Sequence, residues 1–144
     1  MSKHKTNKNN EVKKILIIDD SNEVRNSIKE ALNGKNLLLK EAIDGESGQK
    51  LILENQDANL FIIDYHMPGY NGLELTKLIR EHPKMKETPV IIYTTETSSE
   101  MRSKARKFKK VLWLLKPMHA DSFTETVMNI VNGERKVRNQ KFAA

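Results

Sequence analysis

The chain has 144 residues, contains no cysteine and carries a formal net charge of +6. This length is enough for one domain with its own apolar core, and the lack of cysteine excludes disulfide frameworks, thiolate metal sites and cysteine nucleophiles. The longest apolar runs, such as Val111 to Leu115, have five residues and are far too short to span a bilayer. We therefore predict a single globular unit in a reducing, cytoplasmic compartment.

The positive charge is unevenly distributed along the chain. Residues 1–14, 98–110 and 133–144 carry net charges of +4, +5 and +3, whereas the remainder carries −6. Residues 1–12 lack apolar periodicity and are predicted to form a disordered basic arm, 13–132 the domain, and 133–144 a basic tail. The basic run within 98–110 is either a solvated helix face or a surface for an acidic protein partner. Its members are Arg102, Lys104, Arg106, Lys107, Lys109 and Lys110.

Five short apolar runs recur along the domain, most of them rich in Ile, Val and aromatic residues. Continuous apolar runs of this length are typical of strands that are buried on both faces of a parallel sheet. The runs are Ile15–Ile18, Leu37–Leu39, Leu60–Ile63, Val90–Tyr93 and Val111–Leu115.

The segments between these runs show helical spacing of apolar residues, most weakly at 46–55. Thr97-x-x-Glu100 and Ser122-x-x-Glu125 match capping boxes, and Gly133 stands where a helix C-cap glycine would. The stripes are Val24/Ile28/Leu32, Leu75/Leu78/Ile79, Met101/Ala105/Phe108 and Phe123/Val127/Ile130/Val131. Strands that alternate with helices predict an α/β fold, a parallel sheet covered on both faces.

Polar residues follow four of the predicted strands, and in a parallel sheet these positions meet at one edge. Three carboxylates there would repel one another unless a cation offset them, and an all-oxygen ligand set favours Mg²⁺. An aspartate beside Mg²⁺ can attack a phosphoryl group and form an acyl phosphate. The residues are Asp19 and Asp20 after the first run, Asp64 after the third, Thr94 after the fourth, and Lys116 and Pro117 after the fifth.

Several motifs, taken together and in order, resemble the receiver domains of bacterial response regulators over about residues 13–132. They are Ile17-Ile18-Asp19-Asp20, the segment from Ile62 to Gly72 with its Asp64-Tyr65-His66-Met67-Pro68 core, Thr94, and Lys116-Pro117. The resemblance implies a flavodoxin-like (βα)5 doubly wound sheet with strand order 2-1-3-4-5. It also implies a stand-alone member of a two-component system, in chemotaxis or another pathway, that is a phosphoprotein and not an enzyme acting on separate substrates.

The resemblance further implies a role for each site residue. Asp64 would accept phosphate from a sensor histidine kinase or a histidine phosphotransfer protein, assisted by Thr94 and Lys116. Mg²⁺ would be held by Asp19, Asp20, Asp64 and the backbone carbonyl of His66. Thr94 and Trp113 would be the switch residues, the bond before Pro117 would be cis, and a monomeric chain would bind its output partner through the 97–132 surface.

The sequence departs from the family pattern in three places. Trp113 stands where Tyr or Phe is usual, Lys109-Lys110 replace small residues, and Thr95 replaces Ala or Gly.

Three competing functions stand against this interpretation. A haloacid-dehalogenase-like phosphatase would need a second Asp at position 66, where the chain has His. A nucleic-acid binder would fit the basic ends but not the absence of the usual binding motifs. A degenerate receiver acting as a constitutive protein-binding module is the remaining alternative.

Overall fold

The computed structural model of the chain describes residues 11–133. Within them, five parallel strands form one sheet in the order β2-β1-β3-β4-β5. The strands are β1 (Lys13–Ile18), β2 (Leu37–Ala42), β3 (Leu60–Ile63), β4 (Val90–Thr94) and β5 (Val111–Leu115). The helices are α1 (Asn22–Ala31), α2 (Gly45–Glu54), α3 (Gly72–Glu81), α4 (Ser99–Ala105) and α5 (Ala120–Val131).

The predicted α/β architecture and strand order are confirmed. β3 and β5 coincide with their apolar runs, whereas β1 and β2 extend beyond theirs. The extension arises because β1 and β2 pair along their whole length, from Lys13 opposite Leu37 to Ile18 opposite Ala42. The predicted basic arm and tail lie almost wholly outside the described residues.

The sheet is covered on both faces, so alternate residues of the central strands enter two separate cores. Leu16 and Ile18 of β1 face the core beneath α2, α3 and α4, whereas Ile15 and Ile17 face the core beneath α1 and α5. All four side chains are fully buried. This burial on both faces explains why the strand sequences are continuous apolar runs rather than alternating ones.

The two predicted capping boxes are wrong. Helix α4 is capped by Ser98, whose hydroxyl accepts a hydrogen bond from the Met101 N–H at 3.2 Å, and not by Thr97. Helix α5 is capped by His119, three residues before the predicted cap at Ser122, because the His119 ring accepts the Asp121 N–H at 3.3 Å. Gly133 follows α5 with a φ of +77°, as the C-cap prediction requires.

Arg25 on α1 ties three parts of the fold together near the carboxyl ends of the strands. Its buried guanidinium donates to Glu41 of β2 at 2.8 Å, to the Asp19 carbonyl at 2.7 Å and to the Asn22 side chain at 3.0 Å. Lys29 donates to the second oxygen of Glu41 at 2.6 Å. Glu41 therefore accepts from two cations, and these hydrogen bonds, chiefly the one from Lys29, lower the pKa of its carboxyl below the ordinary value.

Glu41→Gln is expected to lower the free energy of unfolding near neutral pH by about 1 kcal/mol, a modest figure because Glu41 is partly exposed. A lowered pKa in the folded state stabilises the fold above the ordinary value of 4.5, and this contribution disappears as the pH falls through the lowered value. The difference between wild type and variant should therefore shrink in acid. Urea unfolding at several pH values measures it, with the exposed Glu30→Gln on α1 as control; a difference that is constant with pH would contradict the assignment.

Candidate functional site

Three aspartates meet at the carboxyl edge of the sheet because β1 and β3 are neighbours there. Asp19 and Asp20 follow β1, Asp64 follows β3, and Ile18 pairs with Ile63 in the last rung before them. One carboxylate oxygen from each aspartate lies within 4.8 Å of the other two. Asp19 and Asp64 are buried, whereas Asp20 is exposed. The cluster is therefore open to solvent on one side.

Lys116 brings a positive charge into this cluster from the end of β5. Its ammonium nitrogen lies 2.9 Å from Asp19 Oδ2 and 3.5 Å from Asp64 Oδ2. The Lys116 N–H donates to the Thr94 carbonyl at 3.0 Å, and the peptide bond to Pro117 is cis. One ammonium against three carboxylates leaves the cluster with a net charge near −2.

Burial is the main reason why the pKa of Asp19 is raised. The hydrogen bonds from Lys116 and from the Ser21 N–H oppose this rise, and the negative charge of Asp64 adds to it. A carboxylate that is costly to ionise in this place becomes easier to ionise when a cation binds beside it. Three hard oxygen donors, two of them buried, fit a divalent cation such as Mg²⁺ and offer no soft ligand for zinc or copper.

The loop between β3 and α3 requires glycine where it passes the end of the strand. An added Cβ at Gly72 would lie 2.5 Å from the Asp64 carbonyl oxygen, and Gly69 has a φ of +84°. The Gly72 N–H donates to the Tyr65 carbonyl at 2.9 Å, and the Asp64 carboxylate accepts from the Tyr65 N–H at 2.8 Å. These contacts explain why the motif has glycine at positions 69 and 72. They also fix the backbone on both sides of Asp64.

Comparison with known proteins gives the same assignment as the geometry. Residues 15–128 match the family model described as "Response regulator receiver domain". The chain belongs to the response regulator receiver family.

Relatives of this family cover most of the chain. A chemotaxis protein CheY homolog of Campylobacter jejuni is 32% identical over 120 residues, which are 82% of this chain and 92% of the relative. Chemotaxis protein CheY-3 of Vibrio cholerae is 30% identical and covers 81% of this chain. The solved structure of Vibrio cholerae CheY4 superposes with a TM-score of 0.75 at 27% identity, covering 83% of this chain and 98% of that one. The chain is therefore a CheY-like receiver of two-component signalling.

A receiver of this kind is a signalling protein. The family match therefore places the chain outside the haloacid-dehalogenase-like phosphatases that the sequence left open. No helix within residues 11–133 is long and apolar enough to cross a bilayer.

His66 and Glu96 lie on the loops that follow β3 and β4, at the same edge of the sheet as the three aspartates. The His66 Nε2 atom lies 2.6 Å from Glu96 Oε1, joining the loop after β3 to the loop after β4. Glu96 also accepts the Ser98 N–H at 2.8 Å, and the contact with His66 is the main cause of the lowered pKa of its carboxyl. The His66 side chain is thus engaged with Glu96, while the ligand role of its backbone carbonyl stays a prediction.

The two predicted switch residues lie next to the site on neighbouring strands. Thr94 is fully buried, and its hydroxyl accepts the Glu96 N–H at 3.2 Å. Trp113 of β5 is only 8% exposed and lies against Tyr65, with 6.0 Å between ring centroids. The indole N–H is buried without a hydrogen-bond partner. Trp113 therefore already occupies the interior in this structure.

Sequence reasoning missed two residues that support the site. The Arg25 guanidinium donates to the Asp19 carbonyl and is buried. Apart from the nearby Asp19-Asp20 pair, nothing in the sequence indicated that this arginine would be buried at the site. Tyr65, interpreted only as part of the motif, donates its hydroxyl to the Met101 sulfur at 2.7 Å and so connects the residue after Asp64 to α4. Its pKa is raised chiefly by burial and then by the negative charge of Glu96.

Asp64→Asn is expected to raise the melting temperature of metal-free protein by roughly 3–5 °C, because it removes one charge from a cluster of excess negative charge. Mg²⁺ should raise the melting temperature of the wild type by mass action and should have a much smaller effect on the variant. Calorimetry with and without Mg²⁺ measures both effects. Asp121→Asn, an exposed change on α5, is the control; an equal Mg²⁺ effect in wild type and Asp64→Asn would contradict the metal site.

Proposed function

We propose that this chain is a single-domain response regulator whose Asp64 accepts a phosphoryl group from a histidine kinase or a histidine phosphotransfer protein. The observation that carries the proposal is the cluster of three carboxylates within 4.8 Å, two of which contact the Lys116 ammonium. Phosphorylation then changes the affinity of the 97–132 surface for an output protein. The same site would let the chain dephosphorylate itself.

The transfer needs only the phosphohistidine, the Asp64 carboxylate and a proton from solvent. A carboxylate oxygen of Asp64 forms a bond to phosphorus as the bond from phosphorus to the imidazole nitrogen of the phosphohistidine breaks. The electron pair of that bond stays on the imidazole, which takes up a proton from solvent. The product is an acyl phosphate on Asp64, and water later attacks it to release inorganic phosphate.

The residues around Asp64 stabilise the charge that develops on the phosphoryl oxygens. Lys116, whose ammonium lies 3.5 Å from Asp64 Oδ2, would contact one of these oxygens. The Thr94 hydroxyl would donate to another after releasing the Glu96 N–H. Mg²⁺, held by Asp19, Asp20, Asp64 and the His66 carbonyl, would supply the remaining charge compensation. Each polar group at the sheet edge thereby has a role.

The His66–Glu96 pair lies where water and the phosphodonor approach. A pair that joins the loops after β3 and β4 restricts this approach, so its strength sets how fast phosphate enters and leaves. This pair tunes the lifetime of the signal and takes no direct part in bond formation.

The switch would begin when Thr94 moves toward the phosphoryl group. Trp113 on the neighbouring strand would repack into the space that Thr94 leaves; it contacts Tyr65 and, through Tyr65, is linked to α4. Because Trp113 is already buried, its available change is a small repacking in the interior. The output surface on α4 and α5 carries Arg102 and Lys104, which favour an acidic partner.

The buried state of Trp113 also favours one alternative. If the Trp113 side chain keeps its buried position whether or not Asp64 is phosphorylated, the 97–132 surface binds its partner without phosphorylation. This is how a degenerate receiver would act. The two functions differ in whether an acyl-phosphate mimic changes the surroundings of Trp113.

Beryllofluoride, a stable mimic of the acyl phosphate, tests the proposal through the fluorescence of Trp113, the one tryptophan of the chain. With Mg²⁺ we expect a saturable change in emission intensity and no shift to longer wavelength, since the indole stays buried. Asp64→Asn should abolish the change, as should omission of Mg²⁺, whereas Asp121→Asn should retain it. No response in the wild type would favour the constitutive module, and a response that persists in Asp64→Asn would remove Asp64 from the account.

A further inference from the structure

Two basic loops lie side by side at the amino edge of the sheet, opposite the phosphorylation site. They are the loop before β4, residues 82–89, and the loop before β5, residues 106–110. Together they carry six Lys or Arg residues against Glu87 alone, a net charge of +5. We call these two loops the basic pole. The sequence suggested a stripe along one helix, but α4 ends at Ala105 and four of its six cations lie in the loop beyond it.

The basic pole is held together by Arg80 at the end of α3. Its guanidinium donates to the Lys109 carbonyl at 2.7 Å, the Lys110 carbonyl at 3.0 Å and the Met85 carbonyl at 3.2 Å. Lys110 adopts a left-handed conformation with a φ of +57°, which this contact supports. The two loops therefore form one ordered surface.

Most of the charge on the basic pole is uncompensated. Glu87 pairs with Lys109 at 2.7 Å and with Lys110 at 3.7 Å. The other four cations are exposed and have no ion-pair partner within residues 11–133; they are Lys84, Lys86, Arg106 and Lys107.

Both ends of the described chain lie at the same edge of the sheet. Residue 11 precedes the amino end of β1, and residue 133 follows α5, which returns the chain to the amino edge. By contrast, the loops at the carboxyl edge carry five acids and one lysine, a net charge of −4. The molecule is thus polarised along the strand direction.

The composition of the basic pole favours a lipid surface over nucleic acid or a specific protein carboxylate. Five of its six cations are lysines, which act as hydrated point charges, whereas bidentate recognition of a carboxylate or a phosphodiester favours arginine. Among the large apolar residues exposed within 11–133, the aromatic one is Tyr70, on the opposite edge. Phe108 of the pole packs against the core and is partly buried, so this pole presents no exposed aromatic for base stacking. Val12 and Leu38, exposed near the starts of β1 and β2, offer aliphatic contacts.

We propose that the basic pole binds the surface of an anionic lipid bilayer. A cluster of four to eight Lys/Arg residues gains about 1 kcal/mol per residue near such a surface. The attraction falls off within roughly 10 Å at 0.1 M salt, a distance shorter than the domain. The acidic carboxyl edge therefore lies outside the attractive field and points away from the membrane. Asp64 stays accessible to its phosphodonor.

Sedimentation of the full chain with vesicles tests this proposal. The vesicles contain phosphatidylcholine with about one-third phosphatidylglycerol, and pure phosphatidylcholine is the neutral reference. Lys86→Glu with Lys107→Glu should lower partitioning onto anionic vesicles at least about tenfold. Lys40→Glu with Lys50→Glu, on exposed positions of β2 and α2, lowers the net charge by the same amount, from +6 to +2, and should have a much smaller effect.

Each outcome decides for or against the basic pole as a lipid site. Partitioning that is stronger on anionic vesicles, lost at high salt and lost selectively in the Lys86/Lys107 variant supports it. Equal loss in both double variants, or equal partitioning onto neutral vesicles, overturns it. Tighter binding of a single-stranded oligonucleotide at the same salt, with the same dependence on Lys86 and Lys107, would assign the pole to nucleic acid instead. Thermal unfolding checks that both variants fold, and their beryllofluoride response reports on the proposed function separately.

Discussion

The contact of the Lys116 ammonium with Asp19 at 2.9 Å and Asp64 at 3.5 Å is the interaction on which the site depends. Burying two carboxylates beside each other is costly, and this lysine is the cation that contacts both of them among residues 11–133. It offsets only part of their charge, since Asp20 stands beside them. The cluster consequently remains negative enough to favour the binding of a divalent cation.

The parallel topology places the charge of this cluster and the charge of the opposite loops at two different edges of the sheet. Every strand ends at one edge and every helix returns the chain to the other, so charges in the two sets of loops are separated by the length of the strands. Acids collect where the chemistry is proposed, and lysines collect around Arg80 at the opposite edge. An input at Asp64 and an attachment at the basic pole would therefore act at a distance from each other.

Sequence patterns predicted the features that rest on local chemistry or strict periodicity. The runs Leu60–Ile63 and Val111–Leu115 coincide with strands, because a strand buried on both faces must be continuously apolar. The acid cluster followed from the same strand ends. The capping of α5 was missed because the His119 ring takes the role assigned to Ser122, and cap choice depends on how the chain leaves β5.

Contacts between residues distant in sequence were beyond prediction for a different reason. Arg25 with Glu41 and His66 with Glu96 join elements whose relative placement is set only after the sheet has formed. Likewise, the end of α4 at Ala105, which moves four cations from a helix face to a loop, depends on tertiary packing.

The central claim is that Asp64 becomes an acyl phosphate, and the most direct measurement is to locate the modified residue. The chain is treated with acetyl phosphate and Mg²⁺, the acyl phosphate is reduced with borohydride, which converts aspartyl phosphate to homoserine, and the peptides are sequenced by mass spectrometry. The account predicts homoserine at position 64, and only when Mg²⁺ is present. Modification at Asp19 or Asp20, or none in the folded protein, would contradict it.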